Sequence, residues 1–333
     1  MSPLTTTGMR VLSVDRYGPP EVVAVAVRPR PVAGVGEVLV RVHAVCVTSA
    51  DSAARSGRPQ LARLAFGLVR PRQPVLGTEF AGVIESVGEG VTTLAVGDRV
   101  VAASGAQFGA HAEYVVVAAA GAIAIVPEGV ALGDALAICE GGLTALPFLR
   151  DEARLAPGQR ILVNGASGSV GSAAVQLARL MGADVTAVCS APNAALVAGL
   201  GAARVIDYRS DDFTRSTERF DVVFDAVGAS SFARCRRVLT PGGSYLTTVP
   251  SPAILLHGVV ARLSGLRARL ALTGLRPPAA KRADLDRLLG HAATGDLVAV
   301  IDSRYPLDGA VEAYRRVDSG RKRGSVVLDL VAD

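Results

Sequence analysis

The stretch from Arg160 to Met181 constrains the fold of this chain more than any other. Arg160-Ile161-Leu162-Val163-Asn164 is a short apolar run with polar ends, as a strand buried on both faces would be. Gly165-Ala166-Ser167-Gly168-Ser169-Val170-Gly171 follows it. Val170, Ala174, Leu177 and Met181 then recur at helical spacing, and Gly182 is placed to end that helix. A strand, a glycine turn and a helix in this order make a site for a dinucleotide. Gly168 lets the backbone approach a pyrophosphate and Gly171 lets the helix pack on the sheet. The helix N-terminus offers N–H groups and a partial positive charge. Ala166 stands where Gly-x-Gly-x-x-Gly has its first glycine, so the inference rests on the strand-turn-helix context more than on the glycines. An ordinary glycine turn is the competing reading, and it leaves the surrounding strand-helix repeats unexplained.

Those repeats continue down the chain. Residues 185–189 read as a second strand, and Pro192 opens a helix that Gly201 closes. Residues 204–206, 221–225 and 244–249 are further apolar runs, so the class is α/β with a doubly wound parallel sheet. Before residue 127 the style differs. Runs such as 37–45, 80–87 and 114–117 are broken often by glycine and proline, as β-structure would be. After the repeats, 268–273 reads as an edge strand, 281–293 and 308–317 as helices, and 325–330 as a final strand.

The second strand selects the dinucleotide. An NAD site carries an acid about 20 residues past the turn, to hold the ribose 2′-hydroxyl. Here the strand ends Cys189-Ser190-Ala191-Pro192-Asn193, with no acid. Ser190 and Asn193 can hydrogen-bond a 2′-phosphate that a carboxylate would repel. Tyr208 and Arg209 add a hydroxyl and a cation, although Arg209 reads equally as a solvated surface charge. The expected cofactor is NADP(H).

Composition excludes several other classes. A chain of 333 residues has room for two domains, each with its own core. Cys46, Cys139, Cys189 and Cys235 form no close-spaced pair, so they read as reduced and buried rather than as a structural zinc site. The net charge of +5 comes with interspersed signs, except at Gly320-Arg321-Lys322-Arg323-Gly324, which argues against a nucleic-acid partner. Residues 112–130 are interrupted by Glu113, Glu128 and glycines, so no membrane span and no membrane partner are expected. Residues 1–10 lack a basic region followed by an apolar run, so the expected location is the cytoplasm.

With these motifs in hand, the chain resembles the medium-chain dehydrogenase/reductase superfamily, most closely its zinc-independent quinone oxidoreductase branch. The resemblance is carried by Tyr17-Gly18-Pro19-Pro20-Glu21-Val22, residues 31–42, Leu76-Gly77-Thr78-Glu79-Phe80-Ala81-Gly82-Val83, Val96-Gly97-Asp98-Arg99-Val100, Gly142-Leu143-Thr144-Ala145, Val205-Ile206-Asp207-Tyr208 and the Ala-x-Gly-x-x-Gly form of the turn. It implies a GroES-like β-barrel domain over 1–127 and 276–333, and a Rossmann NADP(H)-binding domain over 128–275. It also implies an active site in the cleft between them and a homodimer that pairs edge strands near 268–273. Zinc alcohol dehydrogenases of this superfamily carry Gly-His-Glu where this chain has Gly77-Thr78-Glu79, and Thr78 cannot replace histidine as a ligand. With Asp51 as anchor, Thr48 occupies the first ligand position and Cys46 falls outside it, while the third position is Glu140, or Cys139 with a slip of one residue. No metal is expected. Without a Lewis acid the acceptor must itself take hydride readily, as a quinone or an α,β-unsaturated carbonyl does.

The candidate catalytic residues are Thr48, Asp51 and Glu140. Thr48 would orient a carbonyl, or else make a local turn hydrogen bond. Asp51 reads mainly as the cap of a helix over 52–55. Glu140 is a carboxylate among small residues, placed to titrate upward by desolvation or to pair with an arginine. By resemblance, Thr144 and Ala145 line the nicotinamide pocket. Val227, Gly228 and Val249 border it, and Arg321 and Lys322 approach the cofactor from the C-terminal turn. His43, His111, His257 and His291 form no spaced cluster. Arg55, Arg58, Arg63, Arg70 and Arg72 crowd a segment expected at the cleft rim, either as surface charge or as an attractor for an anionic thioester. Segments 60–73 and 251–276 would shape the pocket. The expected activity is NADPH-dependent hydride transfer to a quinone or enone. The alternatives are an enoyl-thioester or polyketide-tailoring reductase, a low-turnover NADPH-binding sensor, structural or RNA-binding protein, and, disfavoured, a zinc alcohol dehydrogenase. The resemblance implies a tyrosine near the arginine-crowded segment in the family's enoyl-thioester reductases, and the lack of any between Tyr17 and Tyr114 counts against the thioester reading.

Overall fold

The computed structural model describes residues 8–249, 260–262 and 264–331. His257 and most of the front of the 251–276 segment lie outside the described residues. Two compact units are formed, one from 1–140 with 275–333 and the other from 141–274.

In the first unit β1 (Gly8–Ser13) pairs antiparallel with β2 (Ala24–Pro29). The main sheet is built on β3 (Glu37–Val47), β4 (Glu79–Val87), β5 (Arg99–Ala103), β6 (Tyr114–Ala118) and β7 (Ile123–Ile125). Helices α1 (Ser49–Ser56) and α2 (Arg63–Phe66) lie between β3 and β4. Helix α3 (Leu132–Pro147) then runs across the division between the units. β3 bonds to β4 along most of its length and to β6 through residues 37–41. Flanked on both edges, it keeps Val38, Leu39 and Val40 all buried, so apolar-polar alternation is confined to its middle. The core gathers Val40, Phe80, Ile84, Val100 and Ile123, joined by Tyr314, Val326 and Leu328 from the returning chain.

The second unit holds β8 (Arg160–Asn164), β9 (Asp184–Cys189), β10 (Arg204–Asp207), β11 (Phe220–Asp225), β12 (Leu239–Thr247) and β13 (Arg267–Leu270). Helix α4 (Ser169–Leu180) follows β8 and α5 (Ala194–Gly199) follows β9. The strands are parallel in the order β10-β9-β8-β11-β12-β13, the doubly wound order that reverses beside the first strand. β8, β9 and β11 are apolar and buried nearly throughout, because such a sheet is covered on both faces. Leu162, Val188, Phe220, Val223 and Phe232 form its core. The expected edge strand is present as β13, which starts one residue before and ends three residues before the 268–273 reading.

The chain then returns to the first unit through helix Pro278–Ala293, β14 (Ile301–Pro306), helix Ala310–Asp318 and β15 (Ser325–Asp329). β15 pairs antiparallel with β3 and parallel with β14. One apolar stretch escaped the sequence reading. Leu132–Ala153 is long and apolar enough to cross a membrane, yet 78% of its most apolar window is buried in the fold, as a core helix would be.

Candidate functional site

The turn between β8 and α4 is shaped by two glycines with different reasons to be glycine. Gly165 has φ +78° and donates its N–H to Val188 O at 3.1 Å, as Ala166 also does. A Cβ on Gly171 would lie 2.1 Å from Gly165 O and 2.8 Å from Ala166 Cα, so the fold itself demands glycine there. Gly168 is the N-cap of α4, at φ −78° and ψ 174°, a conformation open to any residue. The nearest atom to a Cβ at Gly168 would be Gly165 O at 3.5 Å, an ordinary contact. The protein therefore gives no reason for glycine at 168, whereas a pyrophosphate approaching the backbone does. The cap supplies no side-chain acceptor to the first turn of α4, which keeps that turn available to an anion. Gly141, whose spacing gave no sequence signal, places α3 against the same turn. A Cβ there would lie 2.3 Å from Ser169 O.

Three of the residues chosen from sequence meet at the end of β9. Asn193 Nδ2 donates to Ser167 Oγ at 3.0 Å and to Ser190 Oγ at 3.3 Å. Tyr208 is exposed beside them, its N–H donating to Cys189 O at 3.2 Å, with the Arg209 guanidinium 6.0 Å from its ring centre. At the carboxyl ends of β11 and β12, Val227 and Val249 are 50% and 43% exposed, an apolar edge open to a ring. A Cβ on Gly228 would lie 2.7 Å from Val249, and one on Gly165 would lie 2.4 Å from Val227 Cγ1. Thr144 is half-buried in α3 and Ala145 fully buried. Asp225 was missed from sequence. It ends β11 fully buried and accepts from Asn164 Nδ2 at 3.0 Å, Tyr245 Oη at 3.1 Å and Ser230 N at 2.9 Å, so it fixes the floor of this edge. Its only sequence signal was an acid at the end of an apolar run.

The remaining candidates belong to the first unit. The helix expected at 52–55 begins earlier, at Ser49, and its cap is Thr48 rather than Asp51. Asp51 is the third helical residue of a capping box, since its carboxylate can reach back to the cap only from there. It accepts from Thr48 N at 2.9 Å, Thr48 Oγ1 at 2.6 Å and Gly77 N at 2.8 Å, and it is fully buried. The one hydroxyl proton of Thr48 is thereby already donated. Glu140 accepts from the Ser325 hydroxyl at 2.8 Å, where β15 brings Ser325 alongside. Burial pushes the carboxyl of Glu79 upward, to about 8. The Thr78 hydroxyl and Lys281 oppose that shift, and the charges of Glu140 and Asp51 add to it. Lys281 is itself nearly buried, and its ammonium is pushed down by burial against the pull of Glu79. Arg321 is exposed, and Lys322 Nζ donates to Gly324 O at 2.7 Å. Arg55 is not a rim charge. It is buried, bonded to Asp318 Oδ2 at 2.6 Å and to the Gly18 carbonyl, because α1 turns it inward onto Tyr314. His111 is structural, its Nε2 2.9 Å from Cys46 O and its Nδ1 3.4 Å from the Tyr314 hydroxyl.

The alcohol dehydrogenase GroES-like domain family matches residues 34–128, and the zinc-binding dehydrogenase family matches residues 200–328. The chain is 30% identical over 337 residues to the chloroplastic quinone-oxidoreductase QR1 of Triphysaria versicolor, covering 96% of this chain and 98% of that one. It is 30% identical to the trans-enoyl reductase pgmF of Aspergillus terreus, over 89% and 87% of the two chains. The solved structure of the quinone oxidoreductase from Coxiella burnetii superposes with a TM-score of 0.87 at 26% identity, covering 98% of this chain and all of that one. This chain belongs to the medium-chain dehydrogenase/reductase superfamily, in its quinone oxidoreductase-like branch. Members of this branch are oxidoreductases that use a nicotinamide dinucleotide, and the Gly168 turn with its open helix end fits one.

Zinc, the other group the superfamily implies, does not fit this member. Among the described residues no three of His, Cys, Asp or Glu are grouped to hold a metal. Thr78, which stands where the zinc branch has histidine, donates its hydroxyl to Glu79 and offers no ligand nitrogen or thiolate. No chemical step is assigned to a metal here.

Proposed function

We propose that this quinone oxidoreductase-like chain is a zinc-independent reductase that uses NADPH to reduce quinones or α,β-unsaturated carbonyl compounds. The observation that carries the cofactor choice is the Ser167–Ser190–Asn193 group at the end of β9. It presents two hydroxyls and an amide where an NAD site needs a carboxylate. In this reading these three side chains hold the 2′-phosphate, with Tyr208 and Arg209 beside it. Gly168 and the amides of Ser169, Val170 and Gly171 hold the pyrophosphate. Thr144, Val227, Gly228 and Val249 border the nicotinamide end. When bound, the reduced nicotinamide supplies hydride from its C4 to an electron-poor carbon or to a quinone oxygen. The protein contributes position and an apolar edge rather than a Lewis acid. The Thr48 hydroxyl proton is already given to Asp51 in the α1 cap, and the proton that completes reduction comes from water or from another side chain.

The deciding experiment follows oxidation of NADPH and of NADH against an ortho-quinone, a simple enone and an enoyl-thioester. Preference for NADPH with turnover of the quinone or enone supports the reading. Preference for NADH overturns the assignment of Ser190 and Asn193. The second reading, an enoyl-thioester reductase, is favoured by the likeness to the trans-enoyl reductase of Aspergillus terreus. It predicts that the thioester is the fastest acceptor of the three.

A further inference from the structure

Residues 57–72, which include α2, combine two properties that are seldom found together on a water-facing surface. The stretch contains Arg58, Arg63, Arg70 and Arg72 and no Asp or Glu. It also turns three aliphatic side chains outward. Leu64 and Leu68 are each 66% exposed and Val69 is 88% exposed. Scattered exposed aliphatics are ordinary, but three within six positions form a patch with a use.

The segment is folded rather than loose. Gly67 N donates to Arg63 O at 2.8 Å and Arg72 N donates to Phe66 O at 2.7 Å. The Tyr17 hydroxyl donates to the Gly67 carbonyl, and the Arg63 guanidinium lies 4.7 Å over the Tyr17 ring. Phe66 packs edge-on against Phe108 with ring centres 5.8 Å apart. These bonds draw Phe66 and Arg63 inward, and Leu64, Leu68 and Val69 are left outside. The outer cations are equally uncommitted. Arg58, Arg70 and Arg72 are exposed, and among the described residues none of them forms an ion pair.

We propose that this surface docks peripherally on an anionic lipid bilayer. The three arginines meet the headgroup charge, and Leu64, Leu68 and Val69 enter the boundary beneath. A purely acidic protein partner would account for the cations and leave the aliphatics without a role. The proposal replaces the sequence-based expectation of no membrane partner, which rested on the absence of a spanning segment and did not address peripheral contact. It is independent of which acceptor the protein reduces.

The test is co-sedimentation of the full chain with phosphatidylserine/phosphatidylcholine vesicles and with phosphatidylcholine vesicles alone, at low and at high salt. Binding to the anionic vesicles that weakens with salt is expected. R58Q/R70Q/R72Q should lower the partition coefficient on the order of a hundredfold, from about 1 kcal/mol per arginine. L64S/L68S/V69S should lower it about tenfold or more, with thermal unfolding unchanged in both variants. No binding to anionic vesicles at low salt overturns the proposal. So does an equal loss from R236Q/R237Q, exposed arginines of the other unit, because that would be an effect of overall charge. Full binding by L64S/L68S/V69S overturns it as well, because charge alone would then hold the protein to the vesicle.

Discussion

Two substitutions in one turn separate the needs of the fold from those of the cofactor. Gly171→Ala places a methyl 2.1 Å from the backbone oxygen of Gly165 and 2.8 Å from Ala166 Cα, and neither can swing aside. Overpacking against fixed backbone costs about 3 kcal/mol, and alanine returns about 1 kcal/mol in helix propensity. The net loss of about 2 kcal/mol should lower the midpoint of thermal unfolding by roughly 4–8 °C. Gly168→Ala meets only Gly165 O at 3.5 Å and keeps an allowed backbone conformation. A few tenths of a kcal/mol lost at the cap are offset by the smaller entropy of the unfolded chain, so the midpoint should stay within about 2 °C of wild type. The methyl does stand where the pyrophosphate must approach. NADPH affinity, read by quenching or enhancement of cofactor fluorescence, should fall tenfold or more, about 1.4 kcal/mol. Wild type should gain about 2.7 kcal/mol of stability at a hundredfold excess of NADPH over Kd, and Gly168→Ala should gain far less at the same concentration. Wild-type affinity in Gly168→Ala would refute the placement of the pyrophosphate, and an unchanged midpoint in Gly171→Ala would refute the packing argument.

Ser190→Asp should reverse cofactor choice, lowering the ratio of NADPH to NADH affinity at least tenfold, about 1.4 kcal/mol, as measured by competitive titration. Asp51→Ala orphans three buried donors, on Thr48 N, Thr48 Oγ1 and Gly77 N, and should cost on the order of 3 kcal/mol in urea unfolding. A loss below about 1 kcal/mol would mean that water reaches them. Glu79 makes stability depend on pH. Its folded carboxyl keeps a proton up to about 8, while the unfolded chain gives it up near ~4.3, so between these values the native state binds more protons. The contribution is complete below the lower value and fades as pH rises through the upper one. Glu79→Gln should therefore flatten the fall of the unfolding midpoint between about pH 4.5 and 8, and an unaltered pH slope would show that Glu79 ionises normally in the native state.

The nucleotide half of the protein was legible because its rules are local. A buried parallel strand must be apolar throughout, a helix repeats every three to four residues, and Gly171 is fixed by atoms five and six positions earlier in the chain. Ser190 and Asn193 could be selected in the same way, since the acid they replace has a fixed place after the turn. Gly-Thr-Glu at 77–79, set beside the Gly-His-Glu of the superfamily's zinc branch, likewise differs at one position that is read directly.

What the sequence could not supply was every property set by residues far apart in the chain. Arg55 looks like one more surface cation until Asp318, 263 residues away, and the Gly18 carbonyl enclose it. Glu140 reads from sequence only as a carboxylate among small residues, and tertiary folding brings it Ser325, 185 residues away. Asp51 reads as a cap, and it becomes the acceptor for Gly77 because β4 begins beside α1. Glu79 shows in the sequence only as part of the Gly-Thr-Glu motif, with nothing to mark its protonation. A carboxyl's titration depends on how much water and which charges surround it, and Glu140, Asp51 and Lys281 come together around it only in the folded unit. Sequence fixes what each side chain can do and the local conformation that presents it, whereas burial and charge pairing are sums over neighbours that only the tertiary fold assembles.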